Sequence, residues 1–299
     1  MSPRSILALA AVLSGALYSW CQAPTPTKPE MQVILLGTGY PRPSVERAGP
    51  ATAIVAGEKL FVVDTGRGVV MRLTATGIPL KAIRAVFLTH LHSDHTTGLP
   101  DLFTSSWIFG RKQPLELYGP PGTEGLSDAL LRFLGEDIHI RRDLTEMLPA
   151  AGARINTHIV REGVVYQDED VKVTAFAVDH RPVKYAFGYR FDSRGKSIVI
   201  SGDTRPSENL IRHAQGADVL VHEAYLPEHF DRVDTPEVAA RLKAYHTSAE
   251  EVGEVAQRAG VKLLVITHVI PEDSEAVFLE RAGKHFKGKI VVGRDLMRF

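Results

Sequence analysis

The sequence predicts an α/β fold: one domain from about residue 30 to residue 299, with two sheets sandwiched between helices. Three observations predict it. Short apolar runs of buried-strand length recur along the chain, and helical stretches fall between them. Beyond residue 30 there is no low-complexity segment and no linker that would divide a core. Hydrophobic residues make up 44% of the 299, enough to bury a core and to exclude a disordered chain.

The strands can be placed in order. MQVILL (31–36), ATAIVA (51–56) and LFVVD (60–64) form a first set. AVFLT (85–89) and LELYG (115–119) follow. VKVTAFAVD (171–179) alternates apolar and polar residues, as a half-buried strand should. SIVIS (197–201), DVLVH (218–222), KLLVIT (262–267) and IVVG (290–293) complete the set. The best-marked helix starts at Ser248, with Glu251 three residues later as a capping box. Val252, Val255, Ala256 and Ala259 give it one apolar face, and Gly260 closes it.

The amino-terminal residues read differently. MSPRS carries one positive charge, and Ile6–Trp20 is an apolar run too short to span a bilayer as a helix. Residues 1–23 therefore read as a secretory signal peptide. Residues 24–30 read as a Pro/Thr linker, and 31–299 as the functional domain. The expected location is periplasmic or secreted, with no transmembrane segment in the mature chain. Cys21 is an alternative lipid anchor. As the single cysteine it excludes an intramolecular disulfide and a cysteine zinc finger. Lys plus Arg is 35 and Asp plus Glu is 35. That balance supplies no global attraction to nucleic acid or anionic membrane.

Five segments carry chemistry. In LTHLHSDHTTGLPDL, His90, His92, Asp94 and His95 follow directly on a strand. His90 and His92 are two apart, so in extended chain they point the same way. Asp94 and His95 lie on the next turn and can serve a second centre. Three imidazoles and a carboxylate so crowded need a cation to compensate them. The other four segments are ambiguous one by one. His180 ends the alternating strand. Asp203 follows a buried strand and a glycine, where it could instead cap the helix near Ser207. His222 and Glu223 end another strand. His246 precedes the capped helix, and His268 ends the strand after it. Taken jointly, five strands deliver His, Asp or Glu at their carboxyl ends, which a mere core would not arrange.

HLHSDH, the later Asp of SGDT and the final ITH resemble the metallo-β-lactamase superfamily. LLGTGYPRPSVERAGP, GLPDL, VHEAYL and HTSAEEV more narrowly resemble its ribonuclease Z branch and the arylsulfatase-like relatives. The resemblance covers nearly all of 31–299. It implies a four-layer αββα sandwich with mixed β-sheets, holding two zinc ions, with manganese or iron as alternatives. It places His90, His92 and His180 on one metal and Asp94, His95 and His268 on the other, with Asp203 between them. It gives Asp94 a further role in accepting a proton from the nucleophile. It makes His246 the group that assists the leaving oxygen and Glu223 the group that orients His246.

The sequence also departs from the tRNA-processing pattern. Only RFDSRGKSIVIS separates Tyr189 from Gly202, so the long arm of those enzymes has no room. DTGRGVVMRL and the spacing from His180 to Gly188 look closer to the arylsulfatase-like group. The expectation is therefore a binuclear metal-dependent hydrolase of a small sulfate or phosphate ester. A ribonuclease Z-type 3′-tRNA-processing endoribonuclease is the alternative, and a lactone or β-lactam hydrolase is another. Nucleic acid is the less favoured substrate, and a homodimer is allowed because dimers are frequent in the resembling family. GTG at 37–39 reads as a tight turn. Phe103, Trp107 and Ile108 read as core, and Arg141–Arg142 and 284–289 as solvated surface. Tyr225 and Arg205 are candidates for positioning an anion. His139, His158, His213, His229 and His285 read as surface or ordinary packing.

Overall fold

Alternation along each strand builds the layers. In the first strand, Val33 and Leu35 face one way while Ile34 and Leu36 face the other, and all four are fully buried. A strand buried on both faces reads as a continuous apolar run, which is why these segments were legible. The structure, a computed structural model, describes residues 31–233 and 235–299. The segments read as signal and linker lie outside the described residues.

Thirteen strands are described: β1 (Gln32–Gly37), β2 (Ala51–Ala56), β3 (Lys59–Val63), β4 (Ile83–Phe87), β5 (Leu115–Gly119), β6 (Ile155–Ile159), β7 (Gly163–Gln167), β8 (Lys172–Ala177), β9 (Phe187–Ser193), β10 (Lys196–Ile200), β11 (Val219–Tyr225), β12 (Leu263–Ile270) and β13 (Lys289–Val292). The helices are α1 (Val69–Thr76), α2 (Ser93–Thr96), α3 (Leu99–Ile108), α4 (Thr123–Phe133), α5 (Gly135–His139), α6 (Glu208–Ala214), α7 (Pro227–Val233), α8 (Pro236–Lys243), α9 (Ala249–Ala259) and α10 (Glu275–His285). One sheet runs in the order β1-β2-β3-β4-β5-β6, the other β13-β12-β11-β10-β9-β8-β7. Each is mixed, antiparallel at one end and parallel at the other.

The two sheets pack face to face through Phe61, Val63 and Phe87 from one and Val173, Tyr189, Phe191 and Val265 from the other. Burying each Phe or Val is worth about 1.5–3 kcal/mol. The outer face of the first sheet is covered by Val69, Leu73, Phe103, Trp107 and Leu130 of α1, α3 and α4. The outer face of the second is covered by Leu210, Val252 and Phe278 of α6, α9 and α10. The result is the four-layer αββα order. Phe103 and Trp107 are core, as expected. The capping box at Ser248 and Glu251 and the left-handed Gly260 close α9 as read from sequence.

The differences have physical causes. β6, β7 and β9 went unread: β6 and β7 are edge strands with mostly half-exposed or exposed residues, and β9 interrupts its apolar residues with Gly188, Arg190 and Asp192. β11 continues to Tyr225 and β12 to Ile270, beyond the apolar runs. Pairing between them shifts, because Glu223 faces Thr267 but Ala224 faces Val269. His268 is therefore the extra residue of a bulge, with φ of 46°, and a bulge re-aims its side chain out of the ladder. Glycines let loops cross beneath the strand ends. A Cβ on Gly66 would lie 2.3 Å from the Gly49 carbonyl carbon, and one on Gly98 would lie 2.3 Å from the Gly66 oxygen.

Candidate metal centre

Strand ends deliver most of the residues singled out in the sequence, while His246 lies between α8 and α9 and His222 stays inside β11, bonded to the Glu223 carbonyl. β4 ends at Phe87, so His90 and His92 lie on the extended segment after it, and Asp94 and His95 on the short α2. His180 follows β8, Asp203 follows β10, and the β12 bulge supplies His268. All seven come together. His90, His92, His180 and Asp203 each offer one ligand atom within 4.8 Å of the others, and so do Asp94, His95 and His268. Asp203 lies between the groups. Its Oδ2 is 3.9 Å from Nε2 of both His90 and His180 and 3.4 Å from Nε2 of His268, and its Oδ1 is 3.4 Å from Nε2 of His95. The cap role weighed for Asp203 falls instead to Ser207, whose side chain accepts from Leu210 N.

A carboxylate not singled out from sequence holds the imidazoles in place. Asp64 is buried just past β3, with φ of 60°. Its Oδ2 accepts from His95 Nδ1 at 2.8 Å and from the Thr89 hydroxyl at 2.8 Å, and its Oδ1 accepts from Thr89 N. That hydroxyl has spent its proton on Asp64, so at 3.0 Å it accepts from His90 Nδ1. His180 Nδ1 donates to the Tyr245 carbonyl at 3.0 Å. Three Nδ1 atoms are thus engaged outward, which fixes the tautomer and turns each Nε2 inward. The signal for Asp64 was present in DTGRG, but an Asp after a strand is too common to read alone.

The centre fits cations. His90 Nε2, His95 Nε2, His268 Nε2 and Asp94 Oδ2 are buried without a hydrogen-bond partner, a state that costs free energy unless something else satisfies them. The charges agree. Burial, together with neighbouring His95, pushes His90 well below its usual range. Burial also lowers His180, to about 4. At His95 and His268 burial again disfavours the proton, but it is overridden. Asp203 and Asp64 hold His95 well above its usual range, and Asp203 and Asp94 raise His268 to about 9. Buried carboxylates this close draw positive charge to themselves. Imidazole and carboxylate donors together suit zinc, manganese or iron.

Beside this cluster lies a second pair. His246 Nδ1 donates to Glu223 Oε1 at 2.8 Å, and Thr204 N donates to the same oxygen at 2.9 Å. His246 is nearly buried and its ring stacks 5.7 Å from that of His268. A cavity of about 470 Å³ opens onto His92, Asp94, Asp203, His246 and His268. Its wall includes His229, which the sequence reading had placed among ordinary packing residues. It packs on the rings of Tyr40 and Phe230, and the β11–α9 connection brings it to the cavity. Tyr225 and Arg205 do not position an anion there. The Tyr225 hydroxyl donates to the Lys243 carbonyl, and Arg205 is paired with Asp179 at 2.6 Å.

Comparison with known proteins agrees with this geometry. A model of the β-lactamase superfamily domain matches residues 60–269, and the chain is a metal-dependent hydrolase of ester bonds. A ribonuclease Z of Mycobacterium sp. (strain KMS) is 41% identical over 282 residues, which cover 90% of this chain and 95% of that protein. The chain belongs to the β-lactamase superfamily and, within it, to the ribonuclease Z family. The folds concur. The metallo-β-lactamase fold protein YhfI from Bacillus subtilis aligns with a TM-score of 0.71 at 18% identity, over 91% of this chain and all of that one (100%). Human tRNase Z, short form, aligns with a TM-score of 0.67 at 24% identity, over 90% of this chain and 98% of that one.

These relatives favour the ribonuclease Z alternative over the arylsulfatase-like reading. The signals behind it are structural ones. Arg67 of DTGRG donates to the Tyr40 and Arg42 carbonyls at 2.7 and 2.6 Å, so it shapes a loop and does not report on the ester. The missing arm is a fact of the fold, since only Arg194 and Gly195 join β9 to β10.

Replacing Asp64 with alanine should loosen His90 and His95 together. The expected result is metal affinity lower by about 10- to 100-fold, as for lost partners of metal-binding imidazoles, measured by competition with a chromophoric chelator. Asp64→Asn should lose less, since Asn tolerates the left-handed backbone. Unchanged affinity in Asp64→Ala would refute the anchoring role.

Proposed function

We propose that this protein is a ribonuclease Z-type phosphodiesterase with two zinc ions. His90, His92 and His180 would hold one ion and Asp94, His95 and His268 the other, with Asp203 shared. The observation that carries the reading is the Glu223–His246 pair set against the cluster, in a chain 41% identical to a ribonuclease Z. The ions would make water acidic enough to attack phosphorus near neutral pH and would offset negative charge on the phosphoryl oxygens.

The chain's own groups do the rest. Asp94 accepts the proton released by the attacking water. His246 has Nδ1 fixed by Glu223, so its Nε2 is the atom free to give a proton to the departing oxygen. Burial first, and the charge of Asp203 second, push Glu223 well above its usual range. Burial lowers His246 to about 4. His246 Nδ1 and Thr204 N both donate to Glu223 Oε1, and an ionised Glu223 would support a protonated His246. Thr204 N holds Glu223 in register for that task.

The test compares zinc-loaded protein on bis(p-nitrophenyl) phosphate, p-nitrophenyl sulfate and a precursor tRNA with a 3′ trailer. Metal-dependent cleavage of the phosphodiester and of the precursor, with little sulfate release, is the expected result. The two-residue β9–β10 turn favours a second reading, a phosphodiesterase of shorter substrates. Cleavage of the diester with no cleavage of the precursor would select it. Faster sulfate release than diester cleavage would overturn both.

A further inference from the structure

The cavity beside His246 has a second half that the chemistry above does not use. Past the cluster its walls are Tyr40, Phe230, Leu242, Tyr245 and Ile270, with Arg42 at the mouth. Three of these are aromatic. Phe230 packs on Tyr225 at 5.2 Å, and Tyr245 lies 4.6 Å from the His246 ring. Two structures hold these walls in place. Arg67 pins the Tyr40–Arg42 backbone through its two carbonyl contacts. The helical roof is tied to the body by Arg281, which pairs with Glu228 of α7 at 2.6 Å. A volume near 470 Å³ is that of a site for one small ligand, mostly apolar with a few polar groups. It suits one nucleoside and does not admit a folded RNA.

We propose that this half-cavity is a leaving-group pocket that takes one unstacked nucleobase, with Arg67 as the positioning residue for its wall. The inference rests on the phosphodiesterase reading and names what lies on the departing side. His246 reaches the departing oxygen, and Tyr245 is its neighbour in sequence and in space. Whatever is attached to that oxygen therefore enters the aromatic half. Flat bases stack on aromatic rings and on guanidinium planes with little regard to sequence, and Arg42 at the mouth offers both a plane and a charge for an adjoining phosphate.

The experiment uses the zinc-loaded protein and the dinucleotide ApA, with two analogues that each lack one adenine. Adenosine is released in either case, so the mononucleotide identifies the departing side: 5′-AMP shows that the 3′-oxygen left, and 3′-AMP that the 5′-oxygen left. Loss of the departing adenine should lower kcat/KM by about 5- to 100-fold, mainly through KM, and loss of the other adenine by less than about threefold. Leu242→Trp, which fills the pocket, and Arg67→Met, which frees its wall, should each bring the departing-adenine preference close to one. In the metal-free protein, saturation-transfer NMR with adenosine should show binding that Leu242→Trp removes. Equal dependence on the two adenines, or none, with diester hydrolysis intact, overturns the pocket and leaves the phosphodiesterase reading. Absence of metal-dependent hydrolysis of both ApA and bis(p-nitrophenyl) phosphate overturns the two together.

Discussion

Asp203→Ala is expected to lose metal and phosphodiester hydrolysis together. Among the described residues, Asp203 is the one carboxylate paired within 4 Å with imidazoles from both ligand groups. It is almost wholly buried, and the imidazoles of His268 and His95 overcome the cost of that burial to keep it ionised. Alanine leaves Nε2 of His90 and His180 without Asp203, while Asp94 faces Nε2 of His95 and His268, so two cations would sit close together without a shared counter-charge. The expected fall in kcat/KM is about 10³-fold or more, equivalent to about 4 kcal/mol of transition-state stabilisation. Metal analysis after gel filtration and the rate on bis(p-nitrophenyl) phosphate measure the two losses side by side. Circular dichroism separates them from unfolding. Full activity with both metals retained would refute the shared position of Asp203.

His246→Ala should behave in the opposite way toward metal. His246 belongs to neither ligand group, so both ions should stay. What is lost is the proton for the departing oxygen, a contribution of about 10²- to 10⁴-fold for a positioned acid. The loss should appear in full on ribonucleotide diesters, whose leaving alkoxide is strongly basic. On p-nitrophenyl esters, whose leaving group departs without help, it should be much smaller. Glu223→Gln, which keeps a partner for Nδ1 but removes the charge, should fall between wild type and His246→Ala. An equal loss on both substrate classes would argue that His246 positions substrate and gives no proton.

Much of the site could be read in the sequence because the ligands sit at the ends of recognisable strands. HLHSDH crowds four metal-type donors into six residues, and only a cation makes that arrangement tolerable. Asp203, His180, His246 and His268 were ambiguous singly and became legible as a set. Asp64 was passed over because its role depends on Thr89, 25 residues away in sequence, which links it to His90. His229 packs as read, on Tyr40 and Phe230, and its place in the cavity wall depends on how α7 and α8 fold over the site.

Order along the chain determined the αββα layers and the metal chemistry. Apolar periodicity and ligand spacing are local properties, and each strand carries its own share of them. Tertiary structure decided what is done with that chemistry. The β11–β12 bulge aims His268. The Asp64–Thr89 bridge sets which nitrogen of His90 and His95 faces inward. The Arg67 contacts and the α7–α8 roof shape the cavity and limit what can leave through it. Each of these depends on hydrogen bonds or packing between segments distant in sequence, and such contacts leave no periodic trace along the chain.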